Sequence, residues 1–262
     1  MMKDIVFVTA YRDLQREKWS HYIVPREHYI QRFVELAKKI EYELEVYVEP
    51  HVLNILQDYT FPSHIYFNTW DNVETFFDKY FEQEEAISKD KSFLNTLPRH
   101  IQYSPKLHAD YTLVNHSKVN FLADVKSRKP DYRYYGWIDF AYYLMWNIDL
   151  PKDVDVYSLD VKKISVHSKN PIPDFLTVTD LLHFPHQYIT GGSYLIPNDI
   201  VYPIEKIYEN KLKQYYAMGI IDDDQSIWTQ LYNDNPDMFE LHIHPTMHGL
   251  FKKIKKIPNI IE

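Results

Sequence analysis

One carboxylate, Asp139, ends a long aromatic run and is well placed for chemistry. Most positions of residues 132–143 are tyrosine, tryptophan or other apolar residues. A strand buried on both faces of a sheet has such a continuous apolar sequence, and ligands of open α/β sheets bind just beyond the carboxyl ends of such strands. Asp139 could therefore bind a metal ion or a diphosphate at that edge. Alternatively, it is a buried carboxylate that an arginine, a tyrosine or a backbone amide satisfies.

Three consecutive carboxylates form a second candidate site at the predicted start of a helix. Asp222, Asp223 and Asp224 are followed by Gln225. Acidic groups are favoured at a helix amino terminus, but the first turn needs only one cap and adjacent carboxylates repel one another. The triplet therefore predicts either a cap with dipole stabilisation or a carboxylate that accepts the proton of a reacting hydroxyl.

Cationic side chains near these carboxylates could receive an anionic ligand. Arg12 and Arg16 follow the first predicted strand, where an α/β sheet binds its ligands, although a solvated loop would have the same composition. Lys118 falls inside the apolar stripe of a predicted helix, so its ammonium group either extends to solvent or reaches an anionic site. Because this helix leads into the Asp139 strand, we expect its inner face to lie near the same site.

Two glycines interrupt a predicted strand late in the chain. Gly191 and Gly192 are adjacent in a sequence that contains only five glycines. Glycine weakens the interior of a strand, so the pair indicates a bulge or a ligand that lies against the backbone.

Two histidines alternate on the last predicted strand. His242 and His244 point to the same face, because side chains of a strand repeat every two residues. They could complete a metal site, or they are ordinary surface or core histidines.

Together these residues are suited to moving a group that is carried on a diphosphate. The phosphates require a divalent metal held by hard oxygen ligands, with histidine tolerated if the ion resembles manganese. The metal and cationic side chains offset charge on the leaving diphosphate, while a separate carboxylate accepts the proton of the attacking hydroxyl. The sequence contains no P-loop, no Gly-x-Gly-x-x-Gly and no Gly-x-Ser-x-Gly.

The elements that must position these residues alternate along the chain. A β-branched strand over residues 5–10, a helix over 26–40, and then a strand, a helix and a strand predict a parallel sheet with right-handed crossovers. Further strands are predicted over residues 161–167, 188–197 and 239–244, and further helices over residues 110–124, 203–218 and 222–233. The predicted fold class is α/β.

Composition limits the protein classes that fit. A chain of 262 residues is predicted to form one domain. The sequence has no cysteine and no apolar run long enough for a membrane span or a signal peptide, which predicts a soluble, cytoplasmic protein. A net charge of -8 argues against nucleic acid as a partner.

The same motifs, in order, resemble the bacterial HtrL/YibB-like family from about residue 5 to about residue 241. They are residues 8–13 with Arg16 and Trp19, residues 115–118, residues 136–140, the glycine pair, and residues 223–225. The resemblance implies a single-domain, Rossmann-type glycosyltransferase fold of the GT-A class, with a mostly parallel central sheet flanked by helices and a smaller antiparallel sheet on the acceptor side. The nucleotide-binding half would comprise about residues 1–140 and the acceptor-side half about residues 141–250.

The resemblance also assigns roles to residues of the donor site. Thr9, Ala10 and Tyr11 would line the nucleotide pocket, and Arg12 or Arg16 would contact phosphate. Lys118, Trp137, Ile138 and Asp139 would lie at the donor, with Gly191 and Gly192 beneath a bound sugar. Asp139 matches the position of the GT-A Asp-x-Asp metal motif, but residue 141 is alanine. The implied Mn²⁺ or Mg²⁺ would therefore be held by Asp139, the diphosphate and His242 or His244, or the enzyme would use no metal and rely on arginine and lysine.

The expected function is transfer of a sugar from a nucleoside diphosphate donor to a glycan hydroxyl, with UDP favoured and GDP possible. If the reaction inverts the anomeric centre, Asp223 or Asp224 is the base; if it retains it, the pair Asp224 and Gln225 resembles the glycogenin-like arrangement. Two alternatives stay open at this point. One is a metal-dependent nucleotidyltransferase, and the other is a binding module for nucleotide sugars or glycans that has lost catalysis.

Overall fold

Seven strands form one sheet in the part of the chain that our computed structural model describes, residues 3–142, 156–183 and 188–244. The strands are β1 (Lys3–Tyr11), β2 (Glu43–Val48), β3 (Ile65–Thr69), β4 (Tyr132–Ile138), β5 (Ile164–Ser168), β6 (Ile189–Pro197) and β7 (Phe239–Ile243). Their order across the sheet is β3-β2-β1-β4-β6-β5-β7.

All of these strands except β6 run in the same direction. The pairs of β1 with β2 and β4, of β2 with β3, and of β5 with β7 are parallel, whereas β6 is antiparallel to both β4 and β5. The carboxyl ends of β1, β4 and β5 and the amino end of β6 therefore meet along one edge of the sheet. We call this the carboxyl edge.

Helices cover both faces of the sheet. On one face lie α1 (Arg26–Lys39) and α2 (Pro50–Leu56). On the other lie α3 (Phe76–Ser88), α4 (Lys91–Thr96), α5 (Ala109–His116), α6 (Lys118–Arg128), α7 (Val178–His183), α8 (Val201–Ala217) and α9 (Asp224–Asp234).

The central strand β1 shows why both faces need a cover. Val6 and Val8 are buried against the α3–α9 face, and Ile5 and Phe7 against the α1–α2 face. Side chains of a strand alternate between the two faces, so the apolar run from Ile5 to Val8 must be buried on both. Each fully buried aliphatic or aromatic side chain of this kind contributes about 1.5–3 kcal/mol to folding.

The predicted α/β class, the alternating start of the chain and the mostly parallel sheet are confirmed. The smaller antiparallel sheet predicted for the acceptor side is not a separate sheet among the described residues, because its antiparallel pairing occurs within the single sheet, as the two pairings of β6. Of the predicted acceptor-side half, residues 143–155, 184–187 and 245–250 lie outside the described residues.

The helix predicted over residues 110–124 is two helices, α5 and α6, which meet at Ser117. The Ser117 hydroxyl donates to the Leu113 carbonyl at 2.7 Å and accepts a hydrogen bond from the Phe77 amide at 3.2 Å. A serine that bonds back to the preceding turn competes with regular helix geometry and bends the helix. The break makes Lys118 the first residue of α6.

Candidate active site

The Lys118 ammonium group lies at the centre of the carboxyl edge and joins four elements. Its Nζ is 3.0 Å from Oδ1 of Asp139 and 2.8 Å from Oδ2 of Asp224, and it donates to the Gly191 carbonyl at 3.0 Å. An ammonium group has three N–H donors, so these partners use all of them. Lys118 therefore holds the end of β4, the start of α9 and the backbone of β6 together.

Lys118 is charged although its side chain is only 5% exposed. Burial lowers the pKa of the ammonium group, but the attraction of Asp139 and Asp224 outweighs burial and the pKa is raised overall. Its Nζ also lies 5.5 Å from the centre of the Trp137 ring, where the ring face attracts a cation. The sequence predicted that Lys118 either extends to solvent or reaches an anionic site. Lys118 reaches an anionic site, and the protein's own Asp139 and Asp224 form it.

Asp139 follows the last residue of β4 and faces the open side of this cluster. Its backbone amide donates to the Gly192 carbonyl at 2.9 Å, and its Oδ1 accepts a hydrogen bond from Trp137 Nε1 at 2.8 Å. The side chain is 42% exposed. Oδ1 is thus held in place by the protein, while Oδ2 can face a ligand.

Each carboxylate of the acidic triplet has a different environment. Oδ1 of the buried Asp222 is 2.9 Å from Nζ of Lys106, Asp224 pairs with Lys118, and Asp223 Oδ1 accepts a hydrogen bond from the Ser226 amide at 3.2 Å. Asp223 is therefore the helix cap that the sequence suggested. Two lysines offset the repulsion among the three acids.

The two acids at the start of α9 have raised pKa values. For Asp223, burial raises the pKa to about 6, Asp222 adds to the rise and Lys106 opposes it. Burial likewise raises the pKa of Asp224 to about 6, against the attraction of Lys118. Asp224 is buried and ion-paired, whereas Asp223 keeps part of its surface exposed. Asp223 is thus the more accessible of the two acids.

The glycine pair leaves room for the two carboxylates that Lys118 holds. A Cβ atom at Gly191 would lie 2.2 Å from Oδ2 of Asp224, which is far inside van der Waals contact. A Cβ atom at Gly192 would lie 3.5 Å from Oδ2 of Asp139, an ordinary contact distance. The predicted irregularity is present, because the pairing of β5 with β6 shifts register next to the pair. The group that lies against the Gly191 backbone is the carboxylate of Asp224.

The predicted nucleotide-binding residues at the end of β1 are buried. Thr9, Ala10 and Tyr11 are each at most 9% exposed, and the Tyr11 ring stacks on Phe140 with centroids 4.8 Å apart. The Thr9 hydroxyl has no hydrogen-bond partner among the described residues. Ile138 is buried in the core on the α1–α2 face. These residues form the wall behind the site.

The side chains of the two arginines after β1 contact different parts of the protein. The Arg12 guanidinium lies 4.1 Å from the centre of the Phe77 ring, and its Nε is 3.8 Å from a carboxylate oxygen of Glu49. Arg16 donates to the Tyr29 hydroxyl at 2.5 Å and lies 5.5 Å from the centre of the Tyr111 ring. Arg12 is held against α3, whereas Arg16 remains at the carboxyl edge.

Two aromatic residues that sequence reasoning missed, Tyr29 and Tyr111, contact Arg16, and the charges of the carboxylates help to raise the pKa values of their hydroxyls. The charge of Asp139 acts on the Tyr29 hydroxyl, and those of Asp223 and Asp224 act on Tyr111. Burial is the main cause that raises the pKa of both hydroxyls, so both stay protonated. No signal in a sequence with 23 tyrosines distinguished these two.

His116, also missed, supports the acidic triplet from behind. Its Nε2 donates to the Asp222 carbonyl at 2.9 Å, and its Nδ1 accepts from the Tyr208 hydroxyl at 2.9 Å. Burial lowers the pKa of His116 to about 3, so the ring is neutral and the carbonyl fixes the tautomer. The sequence signal that could have identified His116 was its position two residues before Lys118.

Gln225 and the late histidines complete the predicted site residues. Gln225 is partly exposed in the first turn of α9, and its buried Oε1 accepts no hydrogen bond from a described residue. The structure does not bring His242 and His244 to Asp139. β7 is separated from β4 by β6 and β5, which corresponds to about 14 Å across the sheet. Instead, the His244 carbonyl lies 2.8 Å from Nε2 of His167.

A divalent cation fits this site only with help from a substrate. The described residues contain no group of three or more His, Asp or Glu side chains that could hold a metal ion. However, Mg²⁺ is often bound by one or two carboxylates together with substrate phosphates, and the half-exposed Asp139 carboxylate can supply one such ligand. The available protein ligands therefore fit a metal ion that binds together with the diphosphate of a substrate.

The described helices contain none that is both long and apolar enough to cross a membrane.

The fold and the site define a class: an α/β protein with a lysine-bridged pair of carboxylates at the carboxyl edge of a mostly parallel sheet. The HtrL_YibB family, described as a bacterial protein of unknown function, matches residues 3–255. The chain belongs to this family. It is 28% identical over 169 residues to Protein HtrL of Escherichia coli (strain K12), a match that covers 60% of this chain and 57% of that protein.

Solved structures that resemble the chain include two glycosyltransferases and one synthase. A glycosyltransferase involved in glycosylation of the major capsid of PBCV-1 has a TM-score of 0.43 and 9% identity, covering 97% of this chain and 91% of its own. Mouse xyloside xylosyltransferase 1 has a TM-score of 0.45 and 11% identity, covering 91% and 84%. The 4-diphosphocytidyl-2C-methyl-D-erythritol synthase of Anaerococcus prevotii has a TM-score of 0.37 and 11% identity, covering 92% and 86%.

Proposed function

We propose that the protein is a glycosyltransferase that moves a sugar from a nucleoside diphosphate donor, with UDP favoured over GDP, to a hydroxyl group of a glycan. The observation that carries the proposal is the cluster in which Lys118 joins Asp139 to Asp224 at the carboxyl edge. It places a half-exposed carboxylate next to an acidic helix start, at the edge where α/β sheets bind ligands. Residues 1–140 would form the donor half and residues 141–250 the acceptor half.

On the donor side, Arg16 and Asp139 would hold the diphosphate. Arg16 is fixed by Tyr29 and presents a permanent positive charge at the carboxyl edge. Asp139 would bind Mn²⁺ or Mg²⁺ together with the phosphates, and the ion would supply positive charge that offsets the charge on the leaving diphosphate. Lys118 keeps Asp139 in place but has no donor left for a phosphate oxygen.

On the acceptor side, Asp223 is the group that fits a general base. The acceptor hydroxyl would transfer its proton to Asp223 as its oxygen bonds to the anomeric carbon, and the bond from that carbon to the phosphate oxygen would break with its electron pair on the diphosphate. A pKa of about 6 leaves Asp223 ionised at neutral pH yet basic enough to take a proton. This assignment applies to inversion. Retention would instead involve Asp224 and Gln225 without a simple base.

Titration calorimetry with UDP and GDP, each with and without Mn²⁺, tests the donor half of the proposal. We expect UDP to bind more tightly than GDP and Asp139→Ala to abolish the Mn²⁺-dependent part of the affinity. Glu82→Ala, at an exposed position of α3, is the control. Absence of binding to either nucleotide, with no effect of Asp139→Ala, would overturn the proposal. Pyrophosphate release from a nucleoside triphosphate would instead identify a nucleotidyltransferase.

A further inference from the structure

Exposed apolar side chains form a patch beside the candidate site. Tyr22, Ile23 and Tyr103 are 56%, 59% and 61% exposed, and the exposed His21 ring lies 4.9 Å from the Tyr103 ring. We call these four residues the aromatic shelf. Single exposed apolar residues are ordinary on protein surfaces, but three consecutive exposed residues, one of them packed on a fourth from a distant segment, form a larger group that marks a candidate binding surface.

The shelf is built on an ordered base. The Trp19 ring stacks on His108 with centroids 4.2 Å apart and an interplanar angle of 16°, which joins the loop after β1 to the segment before α5. Arg16 lies 5.2 Å from the centre of the Trp19 ring and donates to the Tyr22 carbonyl at 2.9 Å. The arginine proposed to contact the diphosphate therefore also supports the shelf, so the two surfaces are continuous.

The backbone beneath the shelf is strained. Tyr22 has a φ of 57°, in the left-handed region that a bulky side chain rarely adopts. Such a conformation is unfavourable and persists only where the surroundings impose it, often at ligand sites. Here the hydrogen bond from Arg16 to the Tyr22 carbonyl holds it. The Tyr22 ring is exposed on this strained turn.

We propose that the aromatic shelf binds a sugar ring of the acceptor glycan; this rests on the proposed glycosyltransferase function. A pyranose has an apolar C–H face and a rim of hydroxyl groups. The C–H face suits the electron-rich face of tyrosine, and the tyrosine hydroxyls and the His21 imidazole can bond to the rim. The shelf contains no carboxylate, lysine or arginine, which fits a neutral sugar.

The position of Tyr103 favours the acceptor over the nucleobase of the donor. The segment that carries Tyr103 continues to Lys106, whose ammonium group pairs with Asp222 next to Asp223. A sugar on the shelf would thus contact the segment that pairs with the acidic triplet, while Arg16 links the shelf to the proposed donor site. A base stacked on the shelf is the competing outcome, because aromatic side chains also stack on bases.

Saturation-transfer NMR with the full chain tests the shelf directly. The probes are the methyl α- and β-pyranosides of glucose, galactose, mannose and N-acetylglucosamine, added with and without UDP. We expect irradiation of aromatic protons to saturate ring C–H protons of at least one sugar. The variants are Tyr103→Ala and Tyr22→Asn, because asparagine tolerates the positive φ at position 22. Each variant should weaken sugar binding about tenfold, which is the contribution of one aromatic ring contact.

Tyr157→Ala is the matched control. Tyr157 is 66% exposed, but its hydroxyl bonds to Asp4 at the amino end of β1, the opposite edge of the sheet. Sugar binding that is lost in both shelf variants and kept in Tyr157→Ala supports the proposal. Saturation of none of the sugars, or equal binding by the shelf variants, overturns it. Loss of UDP affinity alone in the shelf variants also overturns it, in favour of a base site.

Together with the calorimetry on UDP and GDP, this experiment separates the shelf from the glycosyltransferase proposal. If UDP binds and no sugar does, the shelf proposal fails while the donor site stands. If sugars bind at the shelf and neither UDP nor GDP binds anywhere, the glycosyltransferase proposal fails and the shelf is a glycan-binding surface.

Discussion

Lys118 and Asp224 are 106 residues apart in sequence and 2.8 Å apart in the structure. Their ion pair is almost completely buried, and it closes over the bare backbone of Gly191. Removing one partner of a buried ion pair leaves an uncompensated charge, which costs much more than the pair itself contributes. The geometry of the candidate site therefore depends on this contact, and the predictions below test its parts separately.

Gly191→Ala should distort the site, whereas Gly192→Ala should be tolerated. The new Cβ atom at position 191 would overlap with Oδ2 of Asp224, while the one at position 192 would have ordinary contacts. A displacement of about 1 Å at an active site can cost about a hundredfold in rate. We expect that loss in the turnover of donor by Gly191→Ala, with UDP affinity from calorimetry within twofold of wild type. Equal rates for the two variants would refute the packing argument.

Lys118→Met should destabilise the protein by roughly 3–5 kcal/mol, because it leaves buried Asp224 without its counter-charge. Urea unfolding measures the change. Lys213→Met, at a half-exposed lysine of α8, is the control and should change stability by less than about 0.5 kcal/mol. The loss should shrink at acidic pH, where Asp224 is protonated, since Lys118 is the group that lowers its pKa. A pH-independent loss would contradict this account.

The rate should rise with pH through about 6 if Asp223 is the general base. The base must be ionised to accept a proton, and its pKa is raised to about 6 mainly by burial. Because Asp223 and Asp224 interact, the profile reports the pair. Asp223→Asn should lower kcat by about 10²–10⁴ without changing UDP affinity. Asp237→Asn, at an exposed position after α9, should behave as wild type. A normal rate for Asp223→Asn would exclude it as the base.

Glu84 should make the protein less stable as pH rises. It is fully buried in α3, and burial raises its pKa to about 8. Between pH of about 4.5 and 8 the folded state keeps this proton while the unfolded state has lost it, so the free energy of unfolding falls with increasing pH. Glu84→Gln should remove that slope and add roughly 1–3 kcal/mol of stability at pH 8. Urea unfolding from pH 5 to 9 measures both.

The prediction for Glu84 has a matched control two residues earlier in α3. Glu82 is exposed on the same helix, so Glu82→Gln should leave the pH dependence unchanged. If Glu84→Gln is less stable than wild type at pH 8, the carboxyl group is ionised and paired in the folded state, contrary to the raised pKa.

Much of the fold could be predicted from the sequence because the signals are local. The apolar run in β1 and the periodic stripe of α1 are each formed by neighbouring residues, and their alternation fixes a mostly parallel sheet. The same reasoning missed the break at Ser117, since a hydrogen bond from its hydroxyl to the preceding turn leaves no mark in hydrophobic periodicity.

The sequence alone determined which residues are unusual: a lone carboxylate after an aromatic strand, a glycine pair, an acidic triplet and a lysine within an apolar stripe. Only the tertiary structure decided how they combine. Lys118 uses all its donors on Asp139, Asp224 and Gly191, which the chain brings together from different elements. It also decided that His242 lies far from Asp139, because strand order, unlike alternation, depends on long-range packing that no local pattern encodes.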